Sequence, residues 1–343
     1  STAIGGDYLG VRDMGLFETL RPMEVVKQKR VIDLNRVHLK EKVTYQITAL
    51  LANRIIAQKS FDRWYKKESI QYMDIIKNAW QGRLFFEEPT SPRPAIIFLS
   101  GSDGGIEKAQ NIAMLLSNYG FVTMAISYFG MRKQPSNLNQ IPIEIIEEAL
   151  QYLKRLEFVD ASNIGIYGRS KGAELALLSL TKYSGLKCAV LNSPSDRVYE
   201  GIRGKMNAKH SSWTYEDKEV PYKPFRWIEV IKNKLFKIPM KDKTGIMELE
   251  KVKCPLLLIS SFRDEVWNSF DAAMNILTKV NSLNKKLVLT TELGHMNTIS
   301  YLPNIRYNNR SDKIYWEAVV SWESTVSWFI EHLMKEFKTE NVI

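Results

Sequence analysis

Short apolar runs alternate with amphipathic segments over the C-terminal three quarters of the chain. The runs near Ala95, Phe121, Ile164, Lys187, Pro255 and Lys286 are nearly continuous in Val, Ile and Leu, as strands buried on both faces read. Between them, segments near Glu107, Ile143, Lys171 and Asn268 carry helical patterns. This alternation predicts a doubly wound, mostly parallel sheet. The pattern before residue 90 differs: Lys42–Leu50, Ile55–Trp64 and Ser69–Ile75 are β-rich runs separated by polar turns, which suit a sandwich-like domain. Pro89, Pro92 and Pro94 mark the boundary, so the expected domains are 1–90 and 91–343. A stretch of about 193–253 interrupts the alternation, with Lys and Arg interleaved among Trp213, Tyr215, Tyr222, Phe225, Trp227 and Phe236. It reads either as a cap whose aromatics line a pocket or as a surface subdomain with its own small core. A final amphipathic helix, about 313–338, is expected to pack through Trp316, Val319, Val320, Trp328 and Phe329.

One junction in this pattern carries chemistry. Gly168, Arg169, Ser170, Lys171 and Gly172 form G-x-S-x-G between the apolar strand Ile164–Tyr167 and a helix that is apolar on nearly all sides. That setting is a nucleophile elbow, in which flanking glycines permit a sharp turn and leave the hydroxyl uncrowded. Ser170 is the candidate nucleophile; its plainer reading is a helix-capping serine. The backbone N–H of Lys171, at a helix N-terminus, is a candidate oxyanion donor.

A serine nucleophile needs a base and the base needs a carboxylate. Of four histidines, His38 precedes the elbow, His332 sits on the last helix and His210 lies in the interrupting stretch. His295 follows the strand near Lys286 in Thr-Glu-Leu-Gly-His, at the strand-end position where an α/β-hydrolase carries its base. Asp264 is the first acid after the buried strand beginning at Pro255, with Glu265 as its substitute and a helix cap as its plainer role. The second oxyanion donor is expected from the loop Gly101–Gly105, as the N–H of Ser102 or Asp103. No Lys-Ser or Lys-Thr closes that loop as a phosphate-binding loop would require.

Composition narrows the partners. At 343 residues and 45% hydrophobic content, the chain can bury one large core and a smaller one. It has no apolar stretch of membrane-spanning length, and its two cysteines, Cys188 and Cys254, lack metal spacing and read as buried thiols of a reducing compartment. The expectation is a cytoplasmic protein with no metal, no cofactor, no nucleic-acid partner and no membrane partner; the oligomeric state is left open. The net charge of +10 suits an anionic small molecule, and Arg132, Lys133, Arg169, Lys171, Arg203, Lys205 and Lys209 are candidate contributors to a basic mouth.

Taken together, these residues resemble the family of acyl-CoA thioesterases and bile acid-CoA:amino acid N-acyltransferases. The resemblance rests on the elbow Gly168–Gly172, the Gly101–Gly105 loop, Asp264 with Trp267, and Gly294-His295. It extends to Gly5–Phe17, to Gly82–Pro89, to Tyr128-Phe-Gly and to Lys209–Trp213. It implies an α/β-hydrolase preceded by an incomplete immunoglobulin-like β domain, a triad of Ser170, Asp264 and His295, and an acyl-CoA substrate. Family members usually carry a longer N-terminal region, so the resemblance implies a chain, starting at Ser1, that begins partway through the first domain. Amino-acid acyltransferases of the family tend to carry Cys at the elbow and thioesterases Ser. Ser170 therefore implies thioester hydrolysis, with acyl transfer to an amine or hydrolysis of an oxygen ester of the dienelactone type as alternatives. A binding module without catalysis is disfavoured because all three triad positions are filled. Where the family has Gly-Gly-Gly in the oxyanion loop this chain has Ser102-Asp103-Gly104-Gly105, and Met-Asn-Thr follows His295 in place of an acid-Pro-Pro run, so acyl-chain preference does not carry over.

Overall fold

A computed structural model of the chain describes residues 31–88, 90–204, 206–225, 244–295 and 312–334. Strands β1 (Lys42–Leu51) and β2 (Arg54–Trp64) form an antiparallel hairpin, followed by β3 (Ile70–Ile76) and β4 (Gln81–Glu87). The alternating part begins with β5 (Arg93–Leu99), α1 (Glu107–Ser117), β6 (Val122–Ser127), a short β7 (Ile141–Pro142) and α2 (Glu144–Lys154). Strand β8 (Val159–Arg169) then runs into α3 (Lys171–Lys182) and β9 (Cys188–Asn192). Four short strands follow, β10 (Glu200–Arg203), β11 (Met206–Ser211), β12 (Trp213–Tyr215) and β13 (Lys218–Glu219). The chain closes with β14 (Leu256–Ser261), α4 (Ser269–Lys279), β15 (Lys285–Thr290) and α5 (Asp312–Leu333).

The large sheet has eight strands in the order β15-β14-β9-β8-β5-β6-β4-β3. The six strands from β15 to β6 are parallel, with α1, α2, α3 and α4 crossing over between successive strands and the inserted stretch leading from β9 to β14, and β4 and β3 add an antiparallel edge. Helices cover both faces: α2, α3 and α4 pack on one, α1 and α5 on the other. The central strands therefore bury both sides, with Ile96, Ile97, Ile164, Ile166 and Val190 fully enclosed, and cutting Ile97 or Ile166 to Ala would cost about 2–5 kcal/mol.

Two sequence expectations change here. The run at 69–75 and β4 belong to the large sheet and not to a sandwich, so residues up to 87 include two strands of the hydrolase sheet. An alternating strand looks the same whichever sheet receives it. Among the described residues the N-terminal antiparallel region is the β1–β2 hairpin; the segment 5–17 lies outside them. In α5, Val319, Trp328 and Phe329 are buried as expected, but Trp316 and Val320 point outward at 56% and 48% exposure, and positions 335–338 lie outside the described residues.

The 193–253 stretch does not stand as a separate subdomain in its described part. Trp213 enters the main core beside Tyr128 and Tyr215 packs against Tyr183, while Phe225 meets Tyr199 within the stretch itself. Trp227 and Phe236 lie outside the described residues.

Candidate active site

The site forms at the C-terminal ends of the central strands, where the pairing of β8 with β5 and β9 brings three loops together. Ser170 sits between β8 and α3 with φ 56° and ψ −122°, a strained backbone that a non-glycine residue adopts only when its surroundings impose it. The surroundings are tight: a Cβ at Gly168 would meet the Gly172 carbonyl oxygen at 2.3 Å, and one at Gly172 would meet the Ser100 oxygen at 2.4 Å. Both flanking glycines are thus required by close approach of backbone to backbone. The Ser170 N–H donates to the Asn192 carbonyl at 2.9 Å, which fastens the elbow to the end of β9. Its hydroxyl makes no capping bond to α3, so the plainer reading of Ser170 does not hold.

The hydroxyl instead lies 2.7 Å from Nε2 of His295, whose Nδ1 is 2.9 Å from each carboxylate oxygen of Asp264. A carboxylate can only accept, so Nδ1 carries the hydrogen and Nε2 is left to accept from Ser170. All three side chains are buried. Asp264 is oriented independently of the histidine: its Oδ1 also accepts from the N–H groups of Val266 (2.9 Å) and Trp267 (3.1 Å). It therefore does cap a turn, while the cap of α4 itself is Asn268, which accepts from the Asp271 N–H at 3.1 Å. Glu265 does not replace Asp264; its Oε2 accepts the His295 backbone N–H at 2.8 Å.

Several further residues hold this geometry, and of these only Trp267 stood out in the sequence. Ser193, with φ 50°, donates its hydroxyl to the His295 carbonyl at 2.9 Å. The Trp267 ring meets the His295 imidazole edge to face at 5.1 Å, which fixes the ring plane. Glu317 on α5 accepts from the N–H groups of Thr291, Glu292 and Leu293 at 2.7–2.9 Å, fastening the loop that leads to His295. Burial acts to raise the Glu317 pKa, but these donors outweigh it and hold the carboxyl below the ordinary range.

The glycine-rich loop lies against the nucleophile: a Cβ at Gly101 would stand 3.0 Å from Ser170 Cβ and 3.4 Å from its Oγ. Tyr128 holds this loop from below, its hydroxyl donating to the Ser100 carbonyl at 2.6 Å. Burial pushes the Tyr128 hydroxyl far up in pKa, so it keeps the hydrogen that it donates. Asp103 pairs with Lys108 at 2.6 Å and with Arg169 at 3.4 Å. Two candidates for the basic mouth are corrected by burial: Arg169 turns to Asp103, and Lys171 is enclosed in an ion pair with Glu174 at 2.9 Å. Arg132, Lys133, Arg203 and Lys209 are exposed, Arg132 pairing with Asp33; Lys205 lies outside the described residues. The other histidines are remote in role: His210 faces Glu219 at 3.2 Å and His332 sits against the Trp328 carbonyl. Among the described residues no cluster has a metal-holding arrangement, and no helix is long and apolar enough to cross a membrane.

A serine on a strained strand-to-helix turn, facing a histidine and aspartate supplied by later strand ends, defines the α/β-hydrolase class. Solved structures agree at the level of the fold. The 2,6-dihydroxy-pseudo-oxynicotine hydrolase superposes with a TM-score of 0.52 at 15% identity, covering 77% of this chain and 68% of that one. A dienelactone hydrolase of Klebsiella pneumoniae, described as putative, gives 0.51 at 13%, covering 77% of this chain and 100% of that one. Within the class, the chain belongs to the acyl-CoA thioester hydrolase/BAAT family. The family model described as "BAAT / Acyl-CoA thioester hydrolase C terminal" matches residues 141–335, and "Acyl-CoA thioester hydrolase/BAAT N-terminal region" matches residues 1–77. Bile acid-CoA:amino acid N-acyltransferase of Mus musculus is 29% identical over 210 residues, 58% of this chain and 50% of that protein. Mitochondrial acyl-coenzyme A thioesterase 2 of Rattus norvegicus is 24% identical over 312 residues, 88% of this chain and 66% of its own length. The chain thus spans about half the length of the mouse relative and two thirds of the rat one.

Proposed function

We propose that this chain is a serine hydrolase of acyl thioesters, converting acyl-CoA to free acid and CoA. The observation that carries the reading is the 2.7 Å contact between Ser170 Oγ and His295 Nε2, with Nδ1 held on Asp264. In the proposed reaction Ser170 attacks the thioester carbonyl while His295 takes its proton and Asp264 stabilises the imidazolium. The oxyanion is met by the Lys171 N–H and by an N–H of Ser102 or Asp103. CoA leaves as a thiolate that His295 protonates; water, deprotonated by His295, then releases the acid from acyl-Ser170. CoA phosphates would be drawn by exposed cations such as Lys133, Arg203 and Lys209.

The alternative is transfer of the acyl group to an amine, as the mouse relative's name describes. The oxygen nucleophile speaks against it: an acyl-serine is an oxygen ester, less open to amines than the thioester an acyl-cysteine would be. Two free cysteines among the described residues, Cys188 buried and Cys254 partly so, support a reducing compartment, and the cytoplasm is the proposed one. The test is a panel of acyl-CoA chain lengths with thiol release measured beside oxygen-ester controls; thiol release that disappears in Ser170→Ala is the expected result.

A further inference from the structure

The side chain of Lys171, next to the nucleophile, runs inward. Its ammonium donates to Glu174 Oε1 at 2.9 Å, to the Tyr199 carbonyl at 3.0 Å and to Ser212 Oγ at 2.8 Å, so each of its three hydrogens has a partner. Glu174 Oε1 also accepts the Trp213 indole N–H at 2.7 Å. Neither charge is accessible to solvent.

Tyr199, Ser212 and Trp213 all belong to the inserted stretch, and two of them reach the remaining parts of the site. The Trp213 ring lies 5.6 Å from Tyr128, whose hydroxyl holds the oxyanion loop. The Tyr199 ring stacks at 5.6 Å on Trp267, which fixes the His295 ring. The insertion therefore touches the supports of the nucleophile, the oxyanion loop and the base. A buried ion pair is a poor source of stability, because apolar residues of equal volume serve as well. What it supplies is direction: three directed bonds on one ammonium tie the first turn of α3 to the inserted stretch.

We propose that the Lys171–Glu174 pair is a positioning device that locks the first turn of α3 to Tyr199 and Ser212 of the inserted stretch and so aims the Lys171 N–H at the acyl carbonyl. The inference rests on the serine-hydrolase reading above but not on the thioester as substrate.

The experiment compares wild type with Lys171→Met/Glu174→Leu, which removes both charges, and with Ser212→Ala, which removes one partner of the ammonium. Labelling of wild-type Ser170 by a fluorophosphonate comes first; failure to label overturns the hydrolase reading and the proposal together. Turnover of a p-nitrophenyl acyl ester and affinity for an acyl trifluoromethyl ketone, which forms a tetrahedral adduct on Ser170, are then measured, with circular dichroism reporting the fold. The double variant is expected to lose roughly 10- to 100-fold in kcat and the same factor in ketone affinity, with KM changed by less than about threefold. Ser212→Ala is expected to lose about fivefold in both kcat and ketone affinity. A folded double variant with kcat and ketone affinity unchanged, or with a loss confined to KM, would overturn the proposal. If the double variant does not fold, unchanged kcat and affinity in Ser212→Ala overturn it alone.

Discussion

Gly294 and Glu265 occupy one another's space: a Cβ at Gly294 would stand 2.2 Å from the Glu265 Oε2 that accepts the His295 N–H at 2.8 Å. The glycine before the candidate base is thus a condition for the bond that holds the base's backbone.

Gly294→Ala must therefore push Glu265 aside or lift the His295 loop. A displacement near 1 Å at a reacting group costs about 10²-fold, so turnover should fall by at least roughly tenfold in a protein that still folds. Kinetics beside a thermal melt check this; full activity would show that Glu265 swings away freely.

Ser170→Ala, His295→Ala and Asp264→Asn should each lower turnover by roughly 10³-fold or more, and the double variants should be scarcely worse than the singles, because the three act as one unit. Asp264→Asn is the informative member. Its amide can present a donor to Nδ1 and favour the wrong tautomer, while Oδ1 can still accept from Val266 and Trp267. Retained turnover in Ser170→Ala would remove the nucleophile.

Gly172→Ala tests the elbow as packing. The added methyl meets the backbone oxygens of Ser100 and Leu99 at 2.4 and 2.6 Å, and backbone has no rotamer with which to yield. The variant should lose about 3 kcal/mol in denaturant unfolding; a loss below about 0.5 kcal/mol would mean that the two strand ends separate easily.

The triad was legible in the sequence because each member sits directly after a strand with its own local pattern: Ser170 after Ile164–Tyr167, Asp264 after the run from Pro255, His295 after the run from Lys286. Strand ends at one edge of a parallel sheet meet, so chain order alone gathers these residues. Their supports were not legible. Ser193, Glu265, Tyr128 and Glu317 act by hydrogen bonds across long sequence separations, for which no local spacing exists. The side chain of Lys171 is hidden for the same reason: a lysine in a G-x-S-x-G turn looks solvent-facing in the sequence, whereas Glu174, one helical turn on, and the inserted stretch enclose it. That the run at 69–75 pairs into the eight-stranded sheet through β4 is not visible in its sequence, because a β-rich run does not name its neighbour.

Glu317 gives a pH dependence with a definite sign. Its folded pKa lies below the ordinary 4.5, so its hold on residues 291–293 contributes stability above about pH 4.5 and loses it as pH falls through the lower folded value. Glu317→Gln should be less stable than wild type near neutral pH, and the difference should shrink in acid below pH 4.5. Thermal melts across that range check it; a difference constant with pH would contradict the assignment.

The central claim is that acyl-Ser170 forms from acyl-CoA and is resolved by water. Mass spectrometry of the products from wild type, supplied with a panel of acyl-CoA chain lengths and with glycine or taurine at millimolar levels, tests it most directly. The prediction is free acid as the dominant product, one thiol released per acid, with Ser170→Cys slowing hydrolysis and raising the share of amide. Predominant N-acyl amino acid from the wild type, or no thiol release from any acyl-CoA by a protein whose Ser170 reacts with a fluorophosphonate, would contradict it.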